Sequence, residues 1–541
     1  MIKLFGIKCV PKEYLTCTES GNKYICNVNS EGKKGSYKAS NAPIVMPVDT
    51  PGYAAMKAPT NYNYQTVSKY VTNGIIYAFA GCRGKYEDNE KSFIEGAPWA
   101  VTDLKSAIRY IRYNKNMLPG DTDKIYTFGM SGGGAQSCLM GVTGNSPLYT
   151  QYLKENGAVM KDKDGNELKD NVKGSQCWCP ITNLDTADAA YEWNMGQYYS
   201  TGTRAEGTFT KILSNDLSNE YVKYVNDIKL KDPKGNELTL TEKNSGSYYN
   251  YLKSMIEESL NNFLADTTFP WTRKSRPGPG PRQIVHEIEN LSEGETYNTT
   301  EEYINYLNTP KKWVTYDKST NKATITSVGD FVQKCKNAKK AVSAFDDLNR
   351  GQAENYVFGT NYIGDDYYKH FDKYTSDLLK ANSTIYSHYN DWNSEYPSQY
   401  EGDLDDIDSL GNNISHRLNM YNPMYYLIDY YDGYKTSNVA DYFRINTGIF
   451  QTDTGNVVEM NLYLALINYA KNVKFTTVWE QEHVKAERKD GDSDTNFINW
   501  IAEIEIDDTT DDTTDDTTDG NFSNLINLNY LIYLISLMIL F

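Results

Sequence analysis

Gly129-Met130-Ser131-Gly132-Gly133 joins the apolar run 125–128 to a segment with helix-forming composition. A serine in a sharp strand-to-helix turn stands clear of its own backbone, and such a turn is so crowded that glycine is favoured beside it. The pattern therefore predicts a nucleophile elbow with Ser131 as the candidate nucleophile. An ordinary tight turn is the alternative, because G-x-S-x-G arises by chance in long chains.

The segments before this serine alternate between strand-like and helix-like patterns. The short apolar runs 42–48 and 74–80 are bounded by Pro and Gly, as is typical of buried parallel strands. A helix is predicted after the second run, because apolar residues recur there at helical spacing: Leu104, Ala107, Ile108 and Ile111. This order predicts an α/β fold with a mostly parallel, doubly wound sheet, in which reactive groups collect at the carboxyl ends of the strands.

A neutral serine hydroxyl needs a base and an orienting acid before it can attack a carbonyl at neutral pH. In hydrolases with this elbow, the catalytic histidine follows the last strand. Among five histidines, His483 fits this place, because it follows the alternating run 473–479 and precedes the amphipathic segment 496–504. The other four lie among tyrosines and charges, and we interpret them as surface or hydrogen-bonded histidines.

The orienting acid is expected at the end of the preceding strand. The apolar run 442–450 leads into Gln451-Thr452-Asp453-Thr454, where Asp453 is the only carboxylate. We therefore predict that Asp453 orients His483. The alternative is that Asp453 only caps the helix predicted at 457–472.

Two backbone N–H groups are needed to stabilise the oxyanion of the tetrahedral intermediate, and Gly132, which follows the serine, is expected to supply one. Two loops compete for the second donor, 49–53 and 81–84. We favour Gly81 and Cys82, because the glycines at both ends of the second loop let its backbone approach a ligand closely. An ordinary tight turn is again the alternative.

Further blocks of sequence are distinctive: AGCRG at 80–84, AIRYIRYNK at 107–115, GNSP at 144–147, CPITNLD at 179–185, AFD at 344–346 and AEN at 353–355. Together with the elbow, they resemble the bacterial tannases of the single-chain esterase type and their relatives among feruloyl esterases. The resemblance spans roughly residues 40–505. It implies an α/β-hydrolase with a large inserted lid domain, which hydrolyses esters of hydroxylated aromatic acids without a metal or an organic cofactor.

The resemblance also assigns roles to individual residues. It places the nucleophile at Ser131 and the base at His483. In the family, a lysine and a glutamate of the lid, with an aspartate near the triad, hold the phenolic hydroxyls of a galloyl group; Lys340, Glu354 and Asp453 match these places. Vicinal phenols offer donors to carboxylates and acceptors to an ammonium group, so this set suits such a ring.

One position departs from the family pattern. The family can carry two acids, spaced by one residue, where this chain has Gln451 and Asp453. If Asp453 is the phenol-binding acid, Gln451 stands at the place of the triad acid. Activity is then expected to be low or lost.

The length of the chain, 541 residues, exceeds a bare hydrolase core, and the strand and helix pattern stops near 185 and resumes near 441. The intervening sequence includes a predicted amphipathic helix with Leu252, Met255, Ile256, Leu260 and Phe263 on one side. We predict a hydrolase core in two parts, 1–190 and 417–505, with a lid domain at 191–416 between them. A disordered Asp/Thr stalk at 506–520 and an apolar tail at 521–541 are expected to follow.

The net charge of −17 argues against nucleic acid as a partner, because nucleic acids are polyanions. The tail 521–541 resembles a glycolipid-anchor signal, with a retained membrane anchor as the alternative, although no secretory signal is visible at 1–10.

Cys17 and Cys26 are expected to bridge a hairpin, whereas Cys177 and Cys179 are interpreted as buried thiols or a disulfide partner rather than a zinc site. We favour an extracellular or cell-surface location.

These observations predict a serine ester hydrolase that acts on galloyl or feruloyl esters, as small molecules or within plant polymers. Ser131 attacks the ester carbonyl and His483 carries the proton. Two other classes stay open: a serine peptidase of the same fold, and a weak or inactive hydrolase-fold binding protein at the cell surface.

Overall fold

A computed structural model describes residues 6–21, 23–57, 59, 63–85, 96–274, 293–336, 338–359, 368–488, 492–511 and 535–539. The strands among these residues are β1 (Gly6–Val10), β2 (Leu15–Ser20), β3 (Lys23–Val28), β4 (Lys33–Lys34), β5 (Tyr37–Lys38), β6 (Ile44–Val48), β7 (Ile76–Ala80), β8 (Ile125–Met130), β9 (Gly174–Trp178), β10 (Trp271–Lys274), β11 (Glu293–Tyr297), β12 (Val314–Asp317), β13 (Lys322–Ile325), β14 (Tyr442–Gly448), β15 (Asn472–Val478) and β16 (Ile535–Ile539).

The α-helices of the same ranges are α1 (Tyr64–Thr72), α2 (Trp99–Tyr113), α3 (Gly132–Val142), α4 (Thr150–Glu155), α5 (Ala187–Asn194), α6 (Phe209–Ile228), α7 (Ser247–Asp266), α8 (Thr300–Leu307), α9 (Val328–Cys335), α10 (Ala353–Val357), α11 (Lys373–Ala381), α12 (Ser383–Tyr386), α13 (Tyr396–Leu404), α14 (Ile414–Met420), α15 (Pro423–Leu427), α16 (Asn456–Asn468) and α17 (Ser493–Asp511).

Eight strands form the central sheet, in the order β15-β14-β9-β8-β6-β7-β1-β16. The six strands from β15 to β7 run parallel to one another, and β1 pairs with β7 in the antiparallel sense. Helices α2, α3 and α16 connect consecutive parallel strands. The predicted α/β fold with a mostly parallel sheet is therefore confirmed.

The apolar periodicities of the sequence account for the core of this layer. Leu104, Ile108 and Ile111 of α2 are buried, and Ala107 packs against the same core. The runs predicted as strands, including those after the elbow, appear as β6, β7, β8, β14 and β15. Because the carboxyl ends of parallel strands lie at one edge, the loops after β6, β8, β9, β14 and β15 are brought together there.

Residues 179–441 separate β9 from β14, and we call them the inserted segment. It contains α5 to α15 and the two hairpins β10–β11 and β12–β13. The predicted amphipathic helix is α7, in which Leu252, Met255, Ile256 and Leu260 are buried. Helices α5 and α15 of the inserted segment pack against α16 of the core. The domain boundaries 191 and 416 stay predictions.

The chain ends differ in part from the prediction. Helix α17 reaches Asp511, so the first residues of the predicted stalk are helical; 512–520 and most of the tail lie outside the described residues. Residues 535–539 form β16, which pairs with β1 and extends the sheet. Within the described ranges, no helix combines the length and the apolar character needed to cross a membrane. The predicted Cys17–Cys26 disulfide is confirmed and bridges the hairpin β2–β3.

Candidate active site

Residues 129–133, which we call the nucleophile turn, lead from β8 into α3. Ser131 has φ +60° and ψ −124°, a backbone conformation that is uncommon for a residue with a side chain. A Cβ atom on Gly129 would lie 2.3 Å from the carbonyl oxygen of Gly133, and one on Gly133 would lie 2.1 Å from that of Val48. Glycine is thus required at both positions, and the predicted strand–turn–helix arrangement is confirmed.

The structure places His483 beside the candidate nucleophile. Ser131 Oγ lies 2.7 Å from His483 Nε2, across 352 residues of sequence. The histidine follows β15, and its loop packs on the end of β14: the Phe450 N–H donates to the carbonyl oxygen of Gln481 at 3.0 Å. This contact geometry allows the imidazole to take the hydroxyl proton directly.

The second ring nitrogen of His483 contacts a residue other than the one predicted. Gln451 Oε1 lies 2.8 Å from His483 Nδ1. This corrects the prediction that Asp453 occupies the orienting place. The Gln451 N–H donates to the carbonyl oxygen of Gly448 at 3.0 Å, which turns the chain directly after β14 so that position 451 meets the imidazole. Asp453, two residues further along, lines the cavity in front of Ser131.

Gln451 lies in a buried polar cluster. Its Nε2 donates to Thr447 Oγ1 at 2.6 Å and to Glu459 Oε1. Thr447 Oγ1 also donates to Glu459 Oε1, at 3.0 Å. Burial raises the pKa of Glu459 to about 8 and lowers that of the neighbouring Lys336 to about 7. The sequence does not mark Glu459 as a site residue, because it lies within α16, where glutamate is an ordinary helix-forming residue.

The oxyanion loop also differs from the prediction. Gly52 and Tyr53 line the cavity with Ser131, whereas Gly81 and Cys82 do not. The Cys82 N–H donates to the carbonyl oxygen of Met56 at 2.8 Å, so it is not available to a ligand. These contacts contradict the favoured choice of Gly81 and Cys82, and they place residues of the competing loop 49–53 in the cavity with Ser131. Gly132 begins α3 next to Ser131, as expected.

A cavity of about 190 Å³ opens in front of Ser131. The residues that line it come from the core and from the inserted segment: Gly52, Tyr53, Ser131, Ile181, Lys340, Gln352, Ala353, Glu354 and Asp453. Lys340, Glu354 and Asp453, the three residues that the family resemblance singles out, therefore share one cavity with Ser131. An ammonium group and two carboxyl groups give this wall both a hydrogen-bond donor and acceptors.

Lys340 is held by contacts to its main chain. Arg204 donates to the carbonyl oxygen of Lys340 at 2.9 Å, and the Lys340 N–H contacts the hydroxyl of Tyr191 at 3.3 Å. Its ammonium group lies 3.7 Å from the centre of the Phe345 ring. Arg204 is itself fixed by a buried ion pair with Glu192 of α5.

Glu354 lies on the short helix α10 and is buried, and its Oε2 has no hydrogen-bond partner within the described ranges. The next residue, Asn355, donates from Nδ2 to Asp346 Oδ1 at 2.6 Å. Asp346 also accepts the backbone N–H groups of Phe371 and Asp372, both at 2.7 Å. The AFD and AEN blocks of the sequence thus meet in space and fix the wall that carries Glu354.

Cys177 and Cys179 are free, buried thiols, which confirms one of the two interpretations of this pair. Burial raises the pKa of the Cys179 thiol to about 12. In the part of the chain that the structure describes, no group of three or more His, Cys, Asp or Glu side chains is arranged to hold a metal ion.

Comparison with known proteins supports the fold. A family model described as BD-FAE matches residues 35–211, which include the nucleophile turn. No curated protein matches the chain in sequence.

Solved structures match almost the whole chain. A tannin acyl hydrolase from Lactobacillus plantarum is 22% identical, with a TM-score of 0.62, over 93% of this chain and 94% of that one. The Fusobacterium nucleatum tannase is 27% identical, with a TM-score of 0.61, over 91% of this chain and 97% of that one. A tannin acyl hydrolase in complex with ethyl gallate is 22% identical, with a TM-score of 0.63, over 91% of this chain and 98% of that one. The predicted α/β-hydrolase fold of tannase-like type is confirmed.

Proposed function

We propose that this protein is a serine carboxylic-ester hydrolase that cleaves esters of hydroxylated aromatic acids through an acyl-enzyme. One observation carries the proposal: Ser131 Oγ lies 2.7 Å from His483 Nε2 and shares a cavity with Lys340, Glu354 and Asp453. The dyad supplies an activated nucleophile, and the cavity wall supplies groups that match phenolic hydroxyls.

In the first half of the reaction, His483 Nε2 takes the hydroxyl proton while Ser131 Oγ attacks the ester carbonyl. The carbonyl oxygen becomes an oxyanion beside the N-terminus of α3, where the Gly132 N–H donates to it. We assign the second donor to the backbone of Gly52, which lines the same cavity. Collapse of the tetrahedral intermediate breaks the ester bond, and the alcohol leaves with the proton from His483.

In the second half, a water molecule attacks the acyl group on Ser131. His483 takes its proton, a second tetrahedral intermediate forms, and the proton returns to Ser131 Oγ as the aromatic acid leaves. Both halves need His483 with Nε2 free to accept a proton. The hydrogen bond between His483 Nδ1 and Gln451 Oε1 favours that tautomer, because an oxygen at this place accepts the Nδ1 proton.

The acid side of the substrate is recognised by the cavity wall. Among the residues that the structure describes, Glu354 Oε2 is a buried acceptor without a partner, and burying an unpaired acceptor is costly. A phenolic hydroxyl would supply the missing hydrogen bond, and Lys340 would donate to a phenolic oxygen. An unsubstituted ring would leave these groups unpaired, so we expect the site to reject it. Since Lys340 and Glu354 belong to the inserted segment, we propose that this segment acts as the lid that shapes the acyl pocket.

A panel of esters tests the proposal: ethyl gallate, methyl ferulate, methyl benzoate and a small peptide amide, compared by kcat/KM. We expect the hydroxylated esters to be hydrolysed, with ethyl gallate preferred over methyl benzoate. Turnover of the peptide without turnover of the aryl esters would instead identify a peptidase. Equal kcat/KM for ethyl gallate and methyl benzoate would contradict the proposal that the cavity wall recognises phenolic hydroxyls.

A second candidate function is an inactive binding protein of the same fold, and Gln451 is the observation that favours it. An amide in place of the acid costs about 10⁴-fold in turnover in a serine protease, because the histidine adopts the wrong tautomer. Labelling with a fluorophosphonate, followed by mass spectrometry of the labelled peptide, separates the two functions. We expect label on Ser131; an inactive scaffold would carry none.

A further inference from the structure

We propose that Glu459 is a positioning residue for His483 and acts through the side-chain amide of Gln451. The inference rests on the proposed function, because it explains how a hydrolase site works with an amide at the acid position. The order of contacts is Ser131 Oγ, His483 Nε2, His483 Nδ1, Gln451 Oε1, Gln451 Nε2 and Glu459 Oε1.

The difficulty that Glu459 resolves is the symmetry of the amide group. A glutamine side chain has an oxygen that accepts and a nitrogen that donates, and the two ends have nearly the same shape. If the nitrogen end contacted His483 Nδ1, that ring nitrogen would have to accept, and the ring proton would lie on Nε2. A protonated Nε2 cannot take the proton of Ser131, so activity depends on which way the amide points.

The environment of Gln451 Nε2 determines the orientation. When Glu459 is ionised, both of its neighbours are acceptors: Thr447 Oγ1 at 2.6 Å and Glu459 Oε1. Thr447 Oγ1 uses its own proton towards Glu459 Oε1, at 3.0 Å, so it faces Gln451 with a lone pair. The reversed amide would place its oxygen against two buried oxygens. All three side chains are buried, and water therefore cannot relieve that contact.

Glu459 also contributes charge when it is ionised. A carboxylate that accepts from the amide nitrogen draws electron density towards the amide oxygen, and neighbouring hydrogen bonds strengthen one another in this way. Gln451 Oε1 then presents more negative charge to His483 Nδ1, which stabilises the imidazolium formed during catalysis. The carboxylate of the usual triad is thus displaced by one amide group and not lost.

The groups around Glu459 set the pH range of this effect. Burial raises the pKa of Glu459 to about 8, whereas Thr447, Gln451 and the cation of Lys336 favour its carboxylate form. Lys336 follows α9; its ammonium group donates to Asn456 Oδ1 at 2.7 Å, and burial lowers its pKa to about 7. The Cys179 thiol, on the loop after β9, also lies in the field of Glu459.

The sign of the pH dependence follows from these groups. Glu459 is a carboxyl group with a raised pKa, so its carboxylate form gains population as the pH rises through about 8. Turnover that depends on this charge should rise over the same range.

The test compares the wild-type protein with E459Q. We expect kcat for ethyl gallate to fall by about 10- to 100-fold, part of the loss seen when a triad acid becomes an amide, with KM nearly unchanged. The rise of kcat around pH 8 should disappear. A matched control is E505Q, which changes another buried glutamate that accepts from Tyr126 at 2.7 Å in a different part of the core. The control should keep kcat and its pH profile.

A second readout reports on the tautomer without relying on turnover. In protein labelled with ¹⁵N-histidine, the signal of His483 is assigned by its loss in H483Q. We expect a ring protonated at Nδ1 in the wild type and in E505Q, and a mixture of tautomers in E459Q. An unchanged tautomer in folded E459Q, with unchanged kcat, would overturn the proposal.

A charge swap, Q451E/E459Q, guards against failure of E459Q to fold. It moves the carboxylate next to His483 and leaves an amide to donate to it from position 459. We expect kcat at or above the wild-type value; a folded but inactive swap would overturn the proposal. If the wild type hydrolyses no ester and takes no fluorophosphonate, the proposed function fails. A tautomer shift in E459Q would still support the positioning role.

Discussion

The nucleophile turn and residues 448–459, which we call the acid loop, serve the same imidazole by different kinds of interaction. In the nucleophile turn, backbone atoms approach so closely that a Cβ on Gly133 would lie 2.1 Å from a carbonyl oxygen. In the acid loop, the decisive contacts join side chains: Gln451 with His483, Thr447 and Glu459. One region is specified by repulsion and the other by matched donors and acceptors.

This difference explains why substitution is tolerated differently in the two regions. Steric exclusion leaves one residue type for a position, so the nucleophile turn keeps the glycines that mark it. A hydrogen-bond chain can be rebuilt from other donors and acceptors, provided that each member is satisfied. The acid loop therefore carries an amide at the place where a Ser–His–acid triad has its carboxylate, with the carboxylate of Glu459 behind it.

The largest expected effect comes from the nucleophile turn. Ser131→Ala removes the attacking oxygen and should lower kcat for ethyl gallate by on the order of 10⁶-fold, as for the nucleophile of other serine hydrolases. The circular dichroism spectrum and the unfolding temperature should match the wild type, because the change deletes one oxygen. A folded variant that keeps most of its turnover would remove Ser131 from the mechanism.

A smaller effect distinguishes Gln451 and Asp453, the two candidates for the residue that orients His483. Gln451→Ala leaves His483 Nδ1 without its acceptor and should lower kcat by about 10³- to 10⁴-fold on every ester, hydroxylated or not. Asp453→Asn should mainly raise KM for hydroxylated esters, because Asp453 lines the cavity. The measurement is kcat and KM for ethyl gallate and for an unsubstituted benzoate. If Asp453→Asn lowered kcat for the benzoate as much as Gln451→Ala does, Asp453 would instead be the residue that orients His483.

Much of the fold follows from local sequence patterns. Apolar runs and periodicities locate β8, β14, β15, α2 and α7, because these elements bury apolar side chains in the core. The signature of the nucleophile turn is equally local, because its glycines are required by contacts within one strand–turn–helix unit and with the end of the adjacent strand. Lys340 and Glu354 follow only from the resemblance to tannases, because no periodicity marks them.

The errors have a common physical origin in long-range geometry. The prediction places the oxyanion loop after β7, but β6 lies next to β8 in the sheet, so the loop after β6 reaches Ser131. Local patterns do not give strand order. The prediction favours Asp453 because it is the only carboxylate in the stretch 451–454, whereas the turn at Gly448 brings Gln451 to the imidazole. A shift of two residues on an irregular loop has no sequence signature.

The cavity wall provides a test that leaves both regions intact. Glu354→Gln keeps the size of the side chain but replaces an acceptor oxygen, unpaired in the described part of the chain, with a donor. We expect kcat/KM for ethyl gallate to fall by about 10²-fold while kcat/KM for methyl benzoate changes little, because the lost contact involves the phenolic hydroxyl. A parallel loss on both esters would mean that Glu354 supports the structure of the site and does not read the ring.

The smallest expected effect compares two buried threonines, Thr447 in β14 directly before the acid loop and Thr127 in β8 before the nucleophile turn. Thr447→Val removes one of the two acceptors for Gln451 Nε2 and leaves Glu459 as the other. We expect kcat to fall by about 3- to 10-fold, in line with the loss of one hydrogen bond from a chain that keeps its remaining member. The matched variant is Thr127→Val in β8, whose hydroxyl contacts the carbonyl oxygen of Ser137 at 3.3 Å. It should cost similar stability, measured by urea unfolding, and leave kcat unchanged, because the strand before the nucleophile turn acts through backbone contacts. Similar losses of kcat in both variants would contradict the contrast, since the hydrogen bonds of the acid loop would then matter no more than those of any buried threonine.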